Sequence, residues 1–122
     1  MFDESSALNT FSYEWAETLN MPIKERKSVY VESLNDIVSK YCINGFPDFL
    51  DCDIEGNDYS VLSNYDFTHG APKVICVEVK EGELLKYDEM MKSKSYIKFC
   101  RIGENNIYIR EEYYYKVSYY DK

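Results

Sequence analysis

The run Lys73–Val79, KVICVEV, places the tightest limit on how this 122-residue chain can fold. It is almost continuously apolar and β-branched. Strands of that kind are buried on both faces and occur in sheets covered by helices. A second run, Phe49-Leu50-Asp51-Cys52, is also read as a buried strand and opens into an acidic turn, Asp53-Ile54-Glu55-Gly56. In an open α/β sheet, ligands bind just beyond the carboxyl ends of the strands. Asp53 and Glu55 therefore stand where a ligand is expected. They alternate along a segment read as extended, so their side chains are expected to point opposite ways.

The rest of the chain alternates around these two runs. Residues 1–12 read as an irregular lead-in. Ser12 is placed to cap a short helix over Tyr13–Leu19, with Trp15 and Leu19 on one face, and Asn20-Met21-Pro22 ends it. Lys24–Lys27 is a small basic cluster, read as a solvated face. Ser28–Val31 has strand composition, and Ser33 then caps a helix carrying Leu34, Ile37, Val38 and Tyr41 at helical spacing. Asp58 reads as the N-cap of a helix over Tyr59–Asn64, with Val61, Leu62 and Tyr65 turned inward. Thr68–Pro72 is a loop. Glu83–Lys94 reads as a helix with Leu84, Leu85, Tyr87, Met90 and Met91 along one side. Tyr96–Arg101 and Ile107–Glu111 read as an antiparallel pair joined by a turn at Glu104–Asn106. The Tyr-rich tail, residues 113–122, reads as a last strand or a sticky end. The order β-α-β-α-β-α-β-β predicts one α/β domain over residues 1–122, with its core at 28–112. Its sheet is expected to be parallel, with helices on both faces and an antiparallel C-terminal edge.

Composition narrows the partners. The formal net charge is −8, from 22 acidic and 14 basic residues. A nucleic-acid backbone or an anionic membrane needs a basic surface, so neither is expected as partner. No apolar run approaches the roughly 20 residues that cross a bilayer, and the acidic N-terminus is unlike a signal peptide. A cytoplasmic setting is expected. The four cysteines, at 42, 52, 76 and 100, form no C-x-x-C pair and are expected to be reduced and buried. His69 is the sole histidine; it sits in a Gly-Pro loop and is expected to be solvent-exposed. The acids Asp53, Glu55 and Glu78 are together the candidates for a hard divalent cation.

The segment from Pro47 to Glu78 carries a resemblance. Pro47-Asp48-Phe49-Leu50, Asp53-Ile54-Glu55-Gly56, Asp58, Val61-Leu62, Asp66-Phe67 and Pro72-Lys73-Val74-Ile75-Cys76-Val77-Glu78 resemble the C-terminal half of FkbM-type methyltransferases. Leu8-Asn9-Thr10-Phe11, Glu14-Trp15-Ala16 and Val31-Glu32-Ser33-Leu34-Asn35-Asp36 extend the likeness upstream, so that it covers roughly residues 5–112. It implies a class I, S-adenosylmethionine-dependent O-methyltransferase acting on the hydroxyl of a small molecule or sugar. The implied fold is a Rossmann-like sheet of strand order 3-2-1-4-5-7-6, with Phe49–Cys52 as strand four and Lys73–Val79 as strand five. The implied catalytic candidates are Asp53 and Glu55, where an acid can orient or deprotonate the acceptor hydroxyl. The resemblance requires no metal.

One departure stands against it. Such enzymes bind the cofactor with a Gly-rich turn after strand one and an acid ending strand two, because glycine lets the backbone come close and a carboxylate accepts from ribose hydroxyls. The five glycines here, at 45, 56, 70, 82 and 103, never fall at G-x-G spacing. The first half of the fold is thus expected to be missing, in a fragment or in a natural remnant, and binding of S-adenosylmethionine by this chain alone is doubtful. Without strand one, Phe49–Cys52 is left with an open apolar edge, which predicts a homodimer or larger assembly, or a second chain supplying the missing half. Two alternatives stand beside an inactive methyltransferase half. One is a non-catalytic remnant that binds or assembles through its open edge. The other is a small self-sufficient enzyme built on Asp53, Glu55 and Glu78.

Overall fold

The computed structural model of the chain describes residues 13–19 and 25–120. A short helix α1 (Tyr13–Thr18) is followed by α2 (Leu34–Tyr41), β1 (Phe49–Cys52), α3 (Asp58–Asn64), β2 (Val74–Glu78), α4 (Leu84–Ser93), β3 (Tyr96–Ile102), β4 (Asn105–Arg110) and α5 (Glu111–Tyr120). The lead-in 1–12, the Ser12 cap, Pro22 and Lys24 lie outside the described residues, as do the side chains of Trp15 and His69.

The fold is a small α/β arrangement on a four-stranded mixed sheet of order β1-β2-β4-β3. β1 and β2 are parallel, with Phe49 opposite Val74 and Cys52 opposite Val77. β2–β4 and β4–β3 are antiparallel. The β3–β4 hairpin turns at Gly103-Glu104 rather than at Glu104–Asn106, and Asn105 and Asn106 already belong to β4. A bulge between Lys98 and Cys100 shifts the hairpin register.

Period-2 alternation sets the core. Ile75 and Val77 of β2 are wholly buried, and Val74, Cys76 and Glu78 on the opposite side are half-buried. Leu62 of α3 and Tyr87, Met90 and Met91 of α4 pack with Cys52, Ile75, Val77, Val79, Tyr96 and Tyr108. At about 1.5–3 kcal/mol for each large apolar side chain buried, this one face supplies the main driving force for folding. Among the described residues α3 and α4 cover one face of the sheet, while on the other Phe49 is exposed and Val74 and Cys76 are half-buried. β1 is likewise an edge strand, with Cys52 buried, Leu50 half-buried and Phe49 exposed. In α4, Leu85 points to solvent because its position is rotated away from the Tyr87–Met91 stripe.

Local chemistry explains the ends. Ser33 accepts from the Asp36 amide at 3.1 Å and caps α2 as its sequence predicts. The Tyr65 hydroxyl donates to the Gly70 carbonyl at 2.7 Å, and the Tyr96 hydroxyl donates to the Pro72 carbonyl at 2.5 Å, so two buried tyrosines pin the loop before β2. Two expectations fail. Ser28–Val31 is not a strand; it is exposed, because a β-branched run forms strand only where a neighbour pairs with it. The tyrosine tail is not a strand: Glu111–Tyr120 form helix α5, which opens with Glu111-Glu112 at its positive dipole end and lies against β3 and β4. Among the described residues no helix is long and apolar enough to cross a membrane. All four cysteines are free thiols; Cys52 is buried, and Cys42, Cys76 and Cys100 are half-buried rather than buried.

Candidate functional site

The carboxyl ends of the two parallel strands lie side by side. β1 runs into Asp53-Ile54-Glu55-Gly56, and β2 ends at Glu78. Within the turn Ile54 packs on the core, while Asp53 and Glu55 are both exposed. Glu55 has φ +53 and Gly56 φ +93, so the backbone is left-handed there and not extended. The alternation expected of Asp53 and Glu55 therefore stops at Ile54.

Asp58 fixes this turn. It is the first residue of α3, not the cap before it; Asn57 holds the cap position and makes no side-chain cap bond. The Asp58 carboxylate is only 4% exposed. It accepts from the Ile54 amide at 3.1 Å and from the Gly56 amide at 3.3 Å. It also accepts from the Cys52 thiol, whose pKa is pushed up to about 12, chiefly by burial and then by this carboxylate. Burial, then the negative charge of Asp58, likewise pushes the Tyr87 hydroxyl up to about 12. One buried acid thus ties β1, the turn and α3 together, as a buried charge must be tied by hydrogen bonds to be tolerated.

Glu78 meets the turn from β2. Its carboxyl is held above the usual carboxylate range, first by a hydrogen bond with Glu104, then by burial, then by the negative charge of Asp53, with Glu104 and Glu55 adding to it. The fold thus brings Asp53, Glu55 and Glu78 to one rim and adds Glu104 from the hairpin turn. Behind the rim Arg101 donates to the Val79 carbonyl and to the Asn106 side-chain oxygen, each at 2.9 Å. Asn106 donates to the Tyr108 hydroxyl at 2.8 Å, and that hydroxyl donates to Asp88 of α4 at 2.7 Å. Asp88 also pairs with Lys98. This network escapes sequence reading, because Asp88 and Tyr108 become neighbours only once the hairpin folds back on α4.

The rim can accept hydrogen bonds from a hydroxyl, or take its proton. Among the described residues no group of three or more His, Cys, Asp or Glu side chains is arranged to hold a metal ion. A cleft of about 260 Å³ lies elsewhere, between α2 and the end of α3, lined by Asn35, Asp36, Val38, Ser39, Tyr65 and Asp66. The rim does not fit the binding of S-adenosylmethionine. Gly56 stands between β1 and α3, as Gly82 does between β2 and α4, but at the rim the amides at Ile54 and Gly56 are already taken by Asp58. Asp53 and Glu55, exposed beside Gly56, are acids.

A family model described as the methyltransferase FkbM domain matches residues 2–98, from the lead-in through most of the described core. Neither a curated protein nor a solved structure gives a match. The match takes in the Asp53–Gly56 turn, Asp58 and Glu78, and it stops inside β3, before the hairpin turn that carries Glu104. This chain belongs to the FkbM methyltransferase domain family.

Proposed function

We propose that the chain forms the acceptor side of an S-adenosylmethionine-dependent O-methyltransferase that acts on a small-molecule or sugar hydroxyl. The observation that carries this reading is the meeting of Asp53 and Glu55 with Glu78 at the carboxyl ends of adjacent parallel strands. The strand order supports it. If β1 and β2 stand for strands four and five, and β3 and β4 for six and seven, the observed order β1-β2-β4-β3 is the 4-5-7-6 half of the family's Rossmann-like sheet. Asp53 or Glu55 then receives the acceptor hydroxyl, orients it and takes its proton. On this reading the chain alone is inactive and acts together with a Gly-rich cofactor-binding unit. The four free thiols fit a cytoplasmic setting.

A second reading, a non-catalytic assembly module, is favoured by the outer edge of β1, which has no strand partner among the described residues. Calorimetric titration of the chain with S-adenosylhomocysteine tests the first reading. No heat at millimolar ligand is the expected result. Saturable binding would overturn the claim of inactivity. Methyl transfer that persists when the chain, combined with a cofactor-binding unit, carries Asp53→Asn and Glu55→Gln would remove both acids from the chemistry.

A further inference from the structure

We propose that Asn44-Gly45, in the loop between α2 and β1, is a site of spontaneous deamidation, where the Gly45 main-chain nitrogen attacks the side-chain amide of Asn44. Of the asparagines in this chain, Asn44 alone is followed by glycine. A side chain on the following residue crowds the attack, and glycine carries none. An added Cβ at Gly45 would meet nothing within 4 Å, so no neighbour crowds the residue either. Ile43, Asn44 and Gly45 are all exposed, and the Asn44 side chain makes no hydrogen bond among the described residues. The other described asparagines are held or hindered. Asn35 is bonded to the Asn64 carbonyl and the Asp66 amide, and Asn64 donates to the Ser60 carbonyl at 2.8 Å. Asn106 is wholly buried in β4. Asn57 and Asn105 precede Asp58 and Asn106, both of them buried.

The step balances with water alone. The Gly45 nitrogen gives up its proton and bonds to the Asn44 side-chain carbonyl carbon. The bond from that carbon to the side-chain nitrogen breaks, and ammonia leaves with the proton. Water then opens the five-membered imide. Cleavage at the side-chain carbonyl restores the main chain and leaves aspartate; cleavage at the main-chain carbonyl leaves isoaspartate, whose main chain is one carbon longer. One bond resists the start. The Gly45 amide donates to the Cys42 carbonyl at 3.2 Å, at the long end of the hydrogen-bond range, in a turn whose other residues are exposed. Ring closure removes that donor for good. Both products add a negative charge to a chain that already carries −8. The isoaspartyl form also lengthens the chain just before Phe46, whose ring packs edge-on against the buried Tyr65 at 5.6 Å. The loop into β1 is thereby loosened at its anchor.

Incubation of the folded full chain at pH 8, followed by digestion in acid and mass spectrometry, tests this. Circular dichroism follows folding throughout, and a synthetic peptide of residues 42–48 is the reference. Aspartyl and isoaspartyl forms are expected at position 44, at a rate within about tenfold of the peptide's, because only a local opening precedes attack. Asn44→Gln is expected to slow conversion there about tenfold or more, since the longer side chain misplaces the carbon that is attacked. A folded chain that keeps Asn44 intact after the peptide has converted overturns the proposal. So does earlier conversion at Asn57, Asn64 or Asn105, or an Asn44→Gln chain that converts at position 44 as fast as wild type. The isoaspartyl fraction, separated by its charge and retention, is expected to melt in less urea than the Asn44→Asp chain. Equal urea midpoints overturn the loosening at Phe46.

Discussion

The Asp58 carboxylate accepts a hydrogen bond from the Ile54 amide at 3.1 Å, reaching back four residues across the turn that carries both candidate acids. The same carboxylate holds the Gly56 amide at 3.3 Å. The position of Asp53 and Glu55 therefore depends on a residue that is itself buried away from any ligand.

Asp58→Ala is expected to destabilise the fold by about 1–3 kcal/mol, because it leaves two amides of the turn without their acceptor. Asp58→Asn is expected to recover part of the loss, since its carbonyl oxygen can accept while its NH2 faces the same donors. Urea denaturation gives the energies. Hydrogen exchange localises them: faster exchange at Ile54 and Gly56, with the β4 amides unchanged, is the expected pattern. Equal stability in the alanine variant would show that Asp58 does not hold the turn.

Cys52 lends the fold an alkaline limit. Its thiol titrates near 9 in the unfolded chain and is pushed up to about 12 in the fold, by burial and then by Asp58. The folded chain keeps a proton that the unfolded chain loses, so the stabilisation is full below pH 9 and falls as pH rises towards 12. Tyr87, raised from 10.0 to about 12, adds in the same sense. Urea midpoints measured from pH 7 to pH 11 should decline, and Cys52→Ala should flatten part of that decline. In the native chain at pH 8, alkylation should reach the half-buried Cys42 well before Cys52. Prompt labelling of Cys52 would contradict its burial.

The parts of this fold that sequence made legible are those decided by local chemistry. Ser33 with Asp36 announces α2, the apolar run at Lys73–Val79 announces β2, and Gly103 marks the hairpin turn next to the place expected. The misreadings belong to segments that neighbours decide. Val29-Tyr30-Val31 has strand composition but no described partner within the chain, and the tail tyrosines have similar β propensity yet follow Glu111-Glu112 into a helix. At the rim, Asp53, Glu55 and Glu78 were visible as acids at strand ends. The role of Asp58 as a brace, and the approach of Glu104, depend on where the chain returns. Spacing along the sequence carries no such information.

Glu78 offers a test of the rim's electrostatics. Its carboxyl is raised by the hydrogen bond to Glu104, by burial and by Asp53. A raised acid contributes stability that is present below its unfolded pKa and lost as pH rises through the folded value. Once ionised, it is a charge repelled by Asp53, Glu55 and Glu104. Glu78→Gln should therefore stabilise the chain at pH 7 by about 0.2–1 kcal/mol, and the gain should vanish near pH 4. Thermal melts at both values decide it. A loss of stability at pH 7 would contradict the repulsion at Glu78.

Two glycines should respond to alanine in opposite ways. Gly70 has φ +142, and an added Cβ would come within 3.3 Å of the Phe46 Cβ and backbone nitrogen. Its carbonyl also receives the Tyr65 hydroxyl at 2.7 Å. Phe46 packs edge-on against the Tyr65 ring at 5.6 Å, so it cannot move aside without disturbing that buried tyrosine. Gly70→Ala combines backbone strain of about 1–2 kcal/mol with this overlap, and should lower the urea midpoint clearly. Gly82 has an ordinary φ and open space around an added Cβ. Gly82→Ala narrows the unfolded ensemble without strain and should raise stability by about 0.4–1 kcal/mol. Equal effects at the two positions would show that the loop pinned by Tyr65 is freer than its contacts imply, and that Phe46 yields to the added methyl group.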